Sequence, residues 1–250
     1  MESNQSKMKK VIVTGASRGI GKSITSLFLE RNFKVIGTAV KSPFPDSFLN
    51  NENFSGIHVD LDDIDDLSYS LKNQIIKEKP DVLVNNAGVF EACDFEESDE
   101  KWLQNWDKTQ SINLRSAALL CKWFTDMHIK DGIEGVIINI ASRAAYRGDG
   151  TDYTSYAASK GGLVAFTKSI ARGYGRKGIY AYSVAPGFIE TDMAVKEIEK
   201  IGRERITSNS AFDEITKPHE IAELVCWLAE GKVKHATGST FHVNGGSYVI

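Results

Sequence analysis

Short β-branched runs alternate with longer stretches whose apolar residues recur at helical spacing. KKVIVTG (9–15) reads as a buried strand ending on a glycine turn. GKSITSLFLERN (21–32) carries Ile24, Leu27 and Phe28 on one face, as a helix that stops near Asn32 does. The same alternation predicts strands at 34–40, 56–60, 81–86, 135–142, 179–187 and 239–246. It predicts helices at 63–79, over a long region from 98 to 129, at 153–175 and at 217–231. In 63–79, Leu67, Leu71, Ile75 and Ile76 share the face expected to be buried, and Pro80 stops the helix. Pro218 opens the last helix at its first turn.

Strands separated by helices of this length imply βαβ units, right-handed crossovers and a sheet covered on both faces. The expected class is α/β, doubly wound, with a mainly parallel seven-stranded sheet. Ligands of such sheets bind beyond the carboxyl ends of the strands, where strand order reverses. Motifs at those ends therefore carry the functional information.

Composition narrows the classes. The chain has 250 residues, 42% hydrophobic and 25% charged, with net charge −3. That suits one large domain and gives no basic block for nucleic acid or an anionic membrane. No apolar run is long enough to span a bilayer. The polar start MESNQSKMKK lacks a signal peptide's apolar core, so residues 1–8 are expected to be a short disordered arm. Cys93, Cys121 and Cys226 make no metal or CxxC spacing. Free buried thiols in a reducing cytoplasm are the expectation.

TGASRGIG (14–21) follows the first strand and opens the first helix. Gly15 suits the tight turn, and Gly19 and Gly21 suit close backbone approach to a pyrophosphate at the helix N-terminus. Its strand–turn–helix setting makes this a dinucleotide-binding turn in a Rossmann-type single domain spanning residues 9–250. NAD sites usually place an acid about 20 residues on, at the tip of the second strand. Here that tip reads TAVKSP (38–43), without Asp or Glu. Arg18 and Lys41 could face a 2′-phosphate, so NADP(H) is expected over NAD(H).

With TGASRGIG, NNAG (85–88) and YAASK (156–160) in order, the chain resembles a short-chain dehydrogenase/reductase. VAPGFIETDM (184–193) and FHVNGG (241–246) resemble the 3-oxoacyl-[acyl-carrier-protein] reductase branch. The resemblance covers residues 8–250. It implies that Tyr156 is the general acid/base and that Lys160 binds the nicotinamide ribose and lowers the tyrosine pKa. It implies that Ser142 hydrogen-bonds the substrate oxygen and that Asn113 helps hold a water in the proton relay. Gly15, Ser17, Arg18, Gly19, Ile20 and Gly21 would cradle the cofactor phosphates, with Lys41 beside them. Asp60 and Leu61 would flank the adenine, and Asn86, Ala87 and Gly88 would line the cleft. Pro186, Gly187, Ile189 and Thr191 would pack near the nicotinamide amide. A homotetramer or homodimer is implied, through 98–129, 153–175 and the apolar end 248–250.

The residues themselves suit this chemistry. Reduction of a ketone needs a hydride on carbon and a proton on oxygen, and a phenol can donate that proton. Tyrosine titrates near pH 10, so work near neutrality asks for roughly three units, about 4 kcal/mol, in favour of the phenolate. Lys160 is at i+4, on the same helix face, and its charge has the right sign, as has the oxidised nicotinamide ring. Ala157, Ala158, Gly161 and Gly162 clear bulk around the pair for cofactor and neighbouring helix. Tyr153 competes by its spacing from Ser142, but its i+4 position is Ala157.

Two stretches depart from the acyl-carrier branch. KDGIEG (130–135) lacks the basic residues often used to dock an acidic carrier, although Arg176 and Lys177 could supply part of such a patch. SAFDEITKPHE (210–220) carries Asp213 and Glu214 where relatives commonly read Gly-Arg. Residues 192–216 are expected to form a lid over a small or thioester-linked carbonyl substrate. A sugar, polyol or other small-ketone dehydrogenase is the alternative. A non-catalytic nucleotide-binding regulator is a further one, disfavoured by the complete set Asn113, Ser142, Tyr156 and Lys160.

Overall fold

The computed structural model describes residues 8–191, 194–195, 199 and 202–250. Of the expected arm at 1–8 only Met8 is among them, and part of the expected lid at 192–216 also lies outside the described residues.

Seven parallel strands form one sheet: β1 (Lys10–Val13), β2 (Lys34–Ala39), β3 (Phe54–His58), β4 (Val82–Asn85), β5 (Gly135–Ile140), β6 (Ile179–Pro186) and β7 (Thr240–Val243). Their order is β3-β2-β1-β4-β5-β6-β7. The chain leaves β1 toward β2 and β3, then returns to the far side of β1 with β4. Strand order reverses there, and the carboxyl ends of β1 and β4 flank the ligand crevice of a doubly wound sheet.

Each strand alternates between two cores. Val11 and Val13 of β1 face one cluster, with Phe28 of α1 (Gly19–Glu30) and Val225 of α5 (Pro218–Ala229). Ile12 faces the other, with Leu71 of α2 (64–78), Leu120 and Phe124 of α3 (99–131) and Ile170 of α4 (Thr154–Tyr174). Strands β4, β5 and β6 repeat the pattern with Val84 against Leu83, Ile138 against Ile137, and Tyr182 against Ala181. A period of two on a sheet covered on both sides produces near-continuous apolar strands. Full burial of one such side chain contributes about 1.5–3 kcal/mol. Cys93, Cys121 and Cys226 are free and buried. Among the described residues no helix is long and apolar enough to cross a membrane.

Three expectations need correction. Ile76 does not join the buried face of α2; it is 53% exposed, whereas Leu67, Leu71 and Ile75 are fully buried. One residue beyond Ile75 is rotated by about 100° around the helix. Strand β3 begins at Phe54, two residues early, because the Phe54 ring packs on Phe44 and Phe48 at 5.2 and 5.3 Å between centroids. Phe48 comes from a short helix, Asp46–Leu49, that periodicity could not resolve. Ser142 lies beyond β5, which ends at Ile140, in the loop leading to the short helix Ala144–Arg147.

Candidate active site

The β1 turn is tied to the end of β4. Thr14 Oγ1 accepts the backbone N–H groups of Asn86 and Ala87, both at 3.0 Å. The Asn86 amide returns two bonds, to the carbonyls of Thr14 and Gly15 at 2.9 and 3.2 Å. Gly15 and Gly19 sit at φ +69° and +56°, the left-handed region that glycine adopts without strain. Gly21 has a different reason: a Cβ there would lie 2.0 Å from the Gly15 oxygen and 2.5 Å from Asn86 Nδ2. Helix α1 therefore packs directly onto the turn, and its free N–H groups open toward the crevice.

Other cofactor candidates surround this turn. Arg18 is exposed and extended at the N-cap of α1. Lys41 is exposed just past β2. Ser17 is half-buried, and Ile20 packs against the α1-side core. Asp60 is exposed beyond β3, and Leu61 is buried. On the opposite side, a Cβ on Gly19 would touch Thr191 Cγ2 at 3.4 Å, so the segment after β6 closes over the glycine turn. Gly187 presses on Asn244, Ile189 bridges to Thr216, and the Pro186 carbonyl accepts the Arg143 N–H at 2.9 Å.

Asn113 and Lys160 come together next to Gly88. A Cβ at Gly88 would lie 3.1 Å from Asn113 Oδ1 and 3.5 Å from Lys160 Nζ. Asn113 is buried in a π turn of α3, Ser111–Arg115. Its Oδ1 accepts the Val89 N–H at 2.8 Å, and its Nδ2 donates to Val89 O at 3.0 Å and Ser159 Oγ at 3.1 Å. Ser159 Oγ donates to Tyr156 O at 2.7 Å. A π turn widens the helix locally and is frequent at functional sites. Here it lets α3 hold both the 85–90 segment and the catalytic helix.

Ser142 acts on the Tyr156 phenol, and its Oγ accepts the Ala144 N–H at 3.1 Å. Lys160 is buried, with Nζ donating to the Ile140 carbonyl at 2.8 Å and standing 5.7 Å from the Tyr156 ring centroid. Burial holds the Lys160 ammonium down at about 8. The chain's own groups shift the Tyr156 phenol upward. Burial pushes Tyr156 up, the Ser142 hydrogen bond opposes this, and Asp149 adds to the rise. Lys160 thus stands beside the phenol with its ammonium anchored on a backbone carbonyl. The two helix glycines also part ways. Gly162 packs on α3, where a Cβ would meet Leu114 Cδ2 at 2.8 Å, while Gly161 has ordinary clearance of 3.7 Å from the Ala145 carbonyl.

Several site residues escaped the sequence reading. Thr14 and Ser159 organise backbone, a role that side-chain chemistry alone does not announce. Phe90 stacks flat on Tyr153 at 4.0 Å and meets Tyr156 edge-on at 4.8 Å. Tyr153, the competing tyrosine, thus forms an aromatic wall beside the phenol. Its spacing three before Tyr156 was the available signal, and Phe90 gave none.

A family model described as Enoyl-(Acyl carrier protein) reductase matches residues 15–248. The chain is 36% identical over 250 residues to the 3-oxoacyl-[acyl-carrier-protein] reductase FabG of Vibrio harveyi, covering 97% of this chain and 98% of that one. It is 36% identical over 248 residues to the FabG of Escherichia coli (strain K12), again covering 97% and 98%. Among solved structures, a 4-hydroxyisoleucine dehydrogenase complexed with NADH superposes with a TM-score of 0.88 at 27% identity, over 96% of this chain and 98% of that one. ElxO with NADP bound gives 0.85 at 27% identity, with the same coverage. With likeness over nearly the whole length of both chains, this protein belongs to the short-chain dehydrogenase/reductase family, oxidoreductases that interconvert CH–OH and C=O groups.

Proposed function

We propose that residues 9–250 act as one NADP(H)-dependent reductase of a 3-oxoacyl thioester, with Tyr156, Ser142, Lys160 and Asn113 as its catalytic set. The observation that carries this reading is the buried Lys160, whose Nζ is held on Ile140 O at 2.8 Å and stands 5.7 Å from the Tyr156 ring centroid, in one cleft with Asn113. The dinucleotide would be held by the turn at 14–21, the 86–88 segment and the segment 186–191, and when bound it supplies the hydride. The fit rests on the left-handed Gly15 and Gly19, which shape the turn, and on Gly21, which lets α1 begin directly against it with its first N–H groups free for phosphate.

The chain's residues then divide the remaining work. Ser142 donates to the substrate oxygen as it gains charge. Tyr156 Oη gives that oxygen its proton, and in the reverse direction takes it back. Lys160, anchored on Ile140 O, keeps a positive charge within reach of the phenolate that results. Asn113 fixes the 85–90 segment against α4 and so sets the width of the cleft.

NADP(H) is preferred because Arg18 and Lys41 are exposed cations beside the cradle and the tip of β2 has no acid. A kcat/KM with NADPH well above that with NADH tests this, and Arg18→Ala with Lys41→Ala should narrow the gap. The thioester reading leans on the 3-oxoacyl-[acyl-carrier-protein] reductases at 36% identity. A small hydroxy-acid or sugar ketone is the second reading, favoured by the likeness to a 4-hydroxyisoleucine dehydrogenase. Initial rates with an acetoacetyl thioester against ketoses and small ketones separate the two. A cytoplasmic homotetramer or homodimer completes the proposal. Leu103, Tyr174, Val249 and Ile250 are exposed on the segments concerned, and light scattering reads the assembly.

A further inference from the structure

Arg143 follows Ser142 directly, in the loop that carries the site. Its backbone N–H is fixed to the Pro186 carbonyl at 2.9 Å, and its Nη1 donates to the neutral Ser247 hydroxyl at 2.6 Å. The side chain is half-buried, and among the described residues it has no ion pair. Its neighbour Arg147 behaves differently, pairing with Asp149 at 3.6 Å. A guanidinium taken partly out of water without a carboxylate is costly, and a fold that keeps one there has a use for it. Burial pushes this guanidinium below its ordinary range, Arg147 adds to that, and Asp149 opposes it. Asp149 also acts on the Tyr156 phenol, so Arg143 and Tyr156 lie within reach of one carboxylate.

Resting on the carbonyl-reductase reading, we propose that Arg143 grips an anionic oxygen group of the substrate, a carboxylate or a phosphate, and so selects which ketone is reduced. Arg143 lines a crevice with Phe188, Ser210, Glu214, Thr216 and Ser247. The crevice holds about 20 Å³, room for about one water-sized oxygen atom rather than a whole substrate. The crevice is lined from the loop that carries Ser142 and from the segment that follows β6. Ser247 supplies a second donor. Glu214 shares the crevice but is exposed and forms no ion pair with Arg143 among the described residues. A guanidinium fork matches both carboxylate and phosphate, and a lysine would not present the same pair of donors.

Two matched pairs of ketones test the grip and identify its source. One pair is acetoacetate and its neutral ethyl ester. The other is the acetoacetyl thioester of phosphopantetheine and that of pantetheine, which lacks the phosphate. In the wild-type enzyme, the anionic member of one pair should show roughly tenfold or greater kcat/KM, carried by KM. The pair that responds names the anion as carboxylate or phosphate. Arg143→Gln should close that gap by raising KM for the anionic member, and Arg143→Lys should close it in part. Neutral and anionic members within about twofold in both pairs would overturn the proposal, as would a gap that survives in Arg143→Gln. The wild-type comparison stands even where a variant fails to fold. Turnover of all probes without discrimination sinks this inference alone, whereas no turnover of any probe sinks the reductase reading beneath it as well.

Discussion

Lys160 Nζ donates to the carbonyl oxygen of Ile140 at 2.8 Å, across the junction between α4 and the end of β5. The bond fixes the ammonium 5.7 Å from the Tyr156 ring centroid. It also joins the catalytic helix to the strand whose following loop carries Ser142. One lysine thereby places a charge near the phenol and ties the catalytic helix to the end of β5.

That lysine makes stability depend on pH in a definite direction. Its folded pKa is about 8, against an ordinary value of 10.5, because burial disfavours the charge. Between these values the unfolded chain binds more protons than the folded one, so this group's contribution to stability rises with pH. The penalty is fully present below about pH 8 and disappears above 10.5, and at neutrality it amounts to about 3 kcal/mol. Lys160→Met should abolish turnover and remove this pH dependence. Urea unfolding of both proteins from pH 7 to 10 checks it. The difference between wild type and variant should shift in favour of wild type as pH rises.

Gly21→Ala should damage the cofactor cradle. The added Cβ would meet the Gly15 oxygen at 2.0 Å and Asn86 Nδ2 at 2.5 Å, and both atoms are held by the bonds that the Asn86 amide donates to the Thr14 and Gly15 carbonyls. A loss of about 1–3 kcal/mol is expected, with weaker dinucleotide binding. Gly173→Ala is the contrast, since nothing lies within 4 Å of a Cβ there, inside α4. It should stabilise by about 0.5–1 kcal/mol. Chemical denaturation of both variants, with a fluorescence titration of the cofactor, separates the two effects.

Asn113→Ala should cost about 1–3 kcal/mol, because it strips partners from the N–H and C=O of Val89 and from Ser159. The freed 85–90 segment should also lower kcat. Hydrogen exchange at Val89 is the local readout, and an unchanged rate there would show that Asn113 does not hold the segment.

Much of this was legible along the chain because its causes are local. The glycine turn needs residues within one loop, the Tyr156–Lys160 pair needs one helical turn, and the strand runs need only a period of two. What stayed hidden depends on packing between distant segments. Phe54 joins β3 because rings from 44 and 48 receive it. Ile76 lies outside the buried stripe by a single helical step. The raised phenol of Tyr156 depends on how deeply the finished cleft encloses it, with Ser142 and Asp149 acting from a loop. Arg143 reads as an ordinary loop cation until its half-buried setting, without an ion pair among the described residues, is seen.

Tyr156→Phe removes one oxygen atom from the proposed chemistry and leaves the cradle intact, so it bears most directly on the reaction. NADPH consumption with an acetoacetyl thioester should fall by about 10² to 10⁴ or more relative to wild type, with NADPH affinity unchanged in a parallel titration. Turnover close to the wild-type rate in Tyr156→Phe would contradict the assignment of the proton donor, and with it the proposed mechanism.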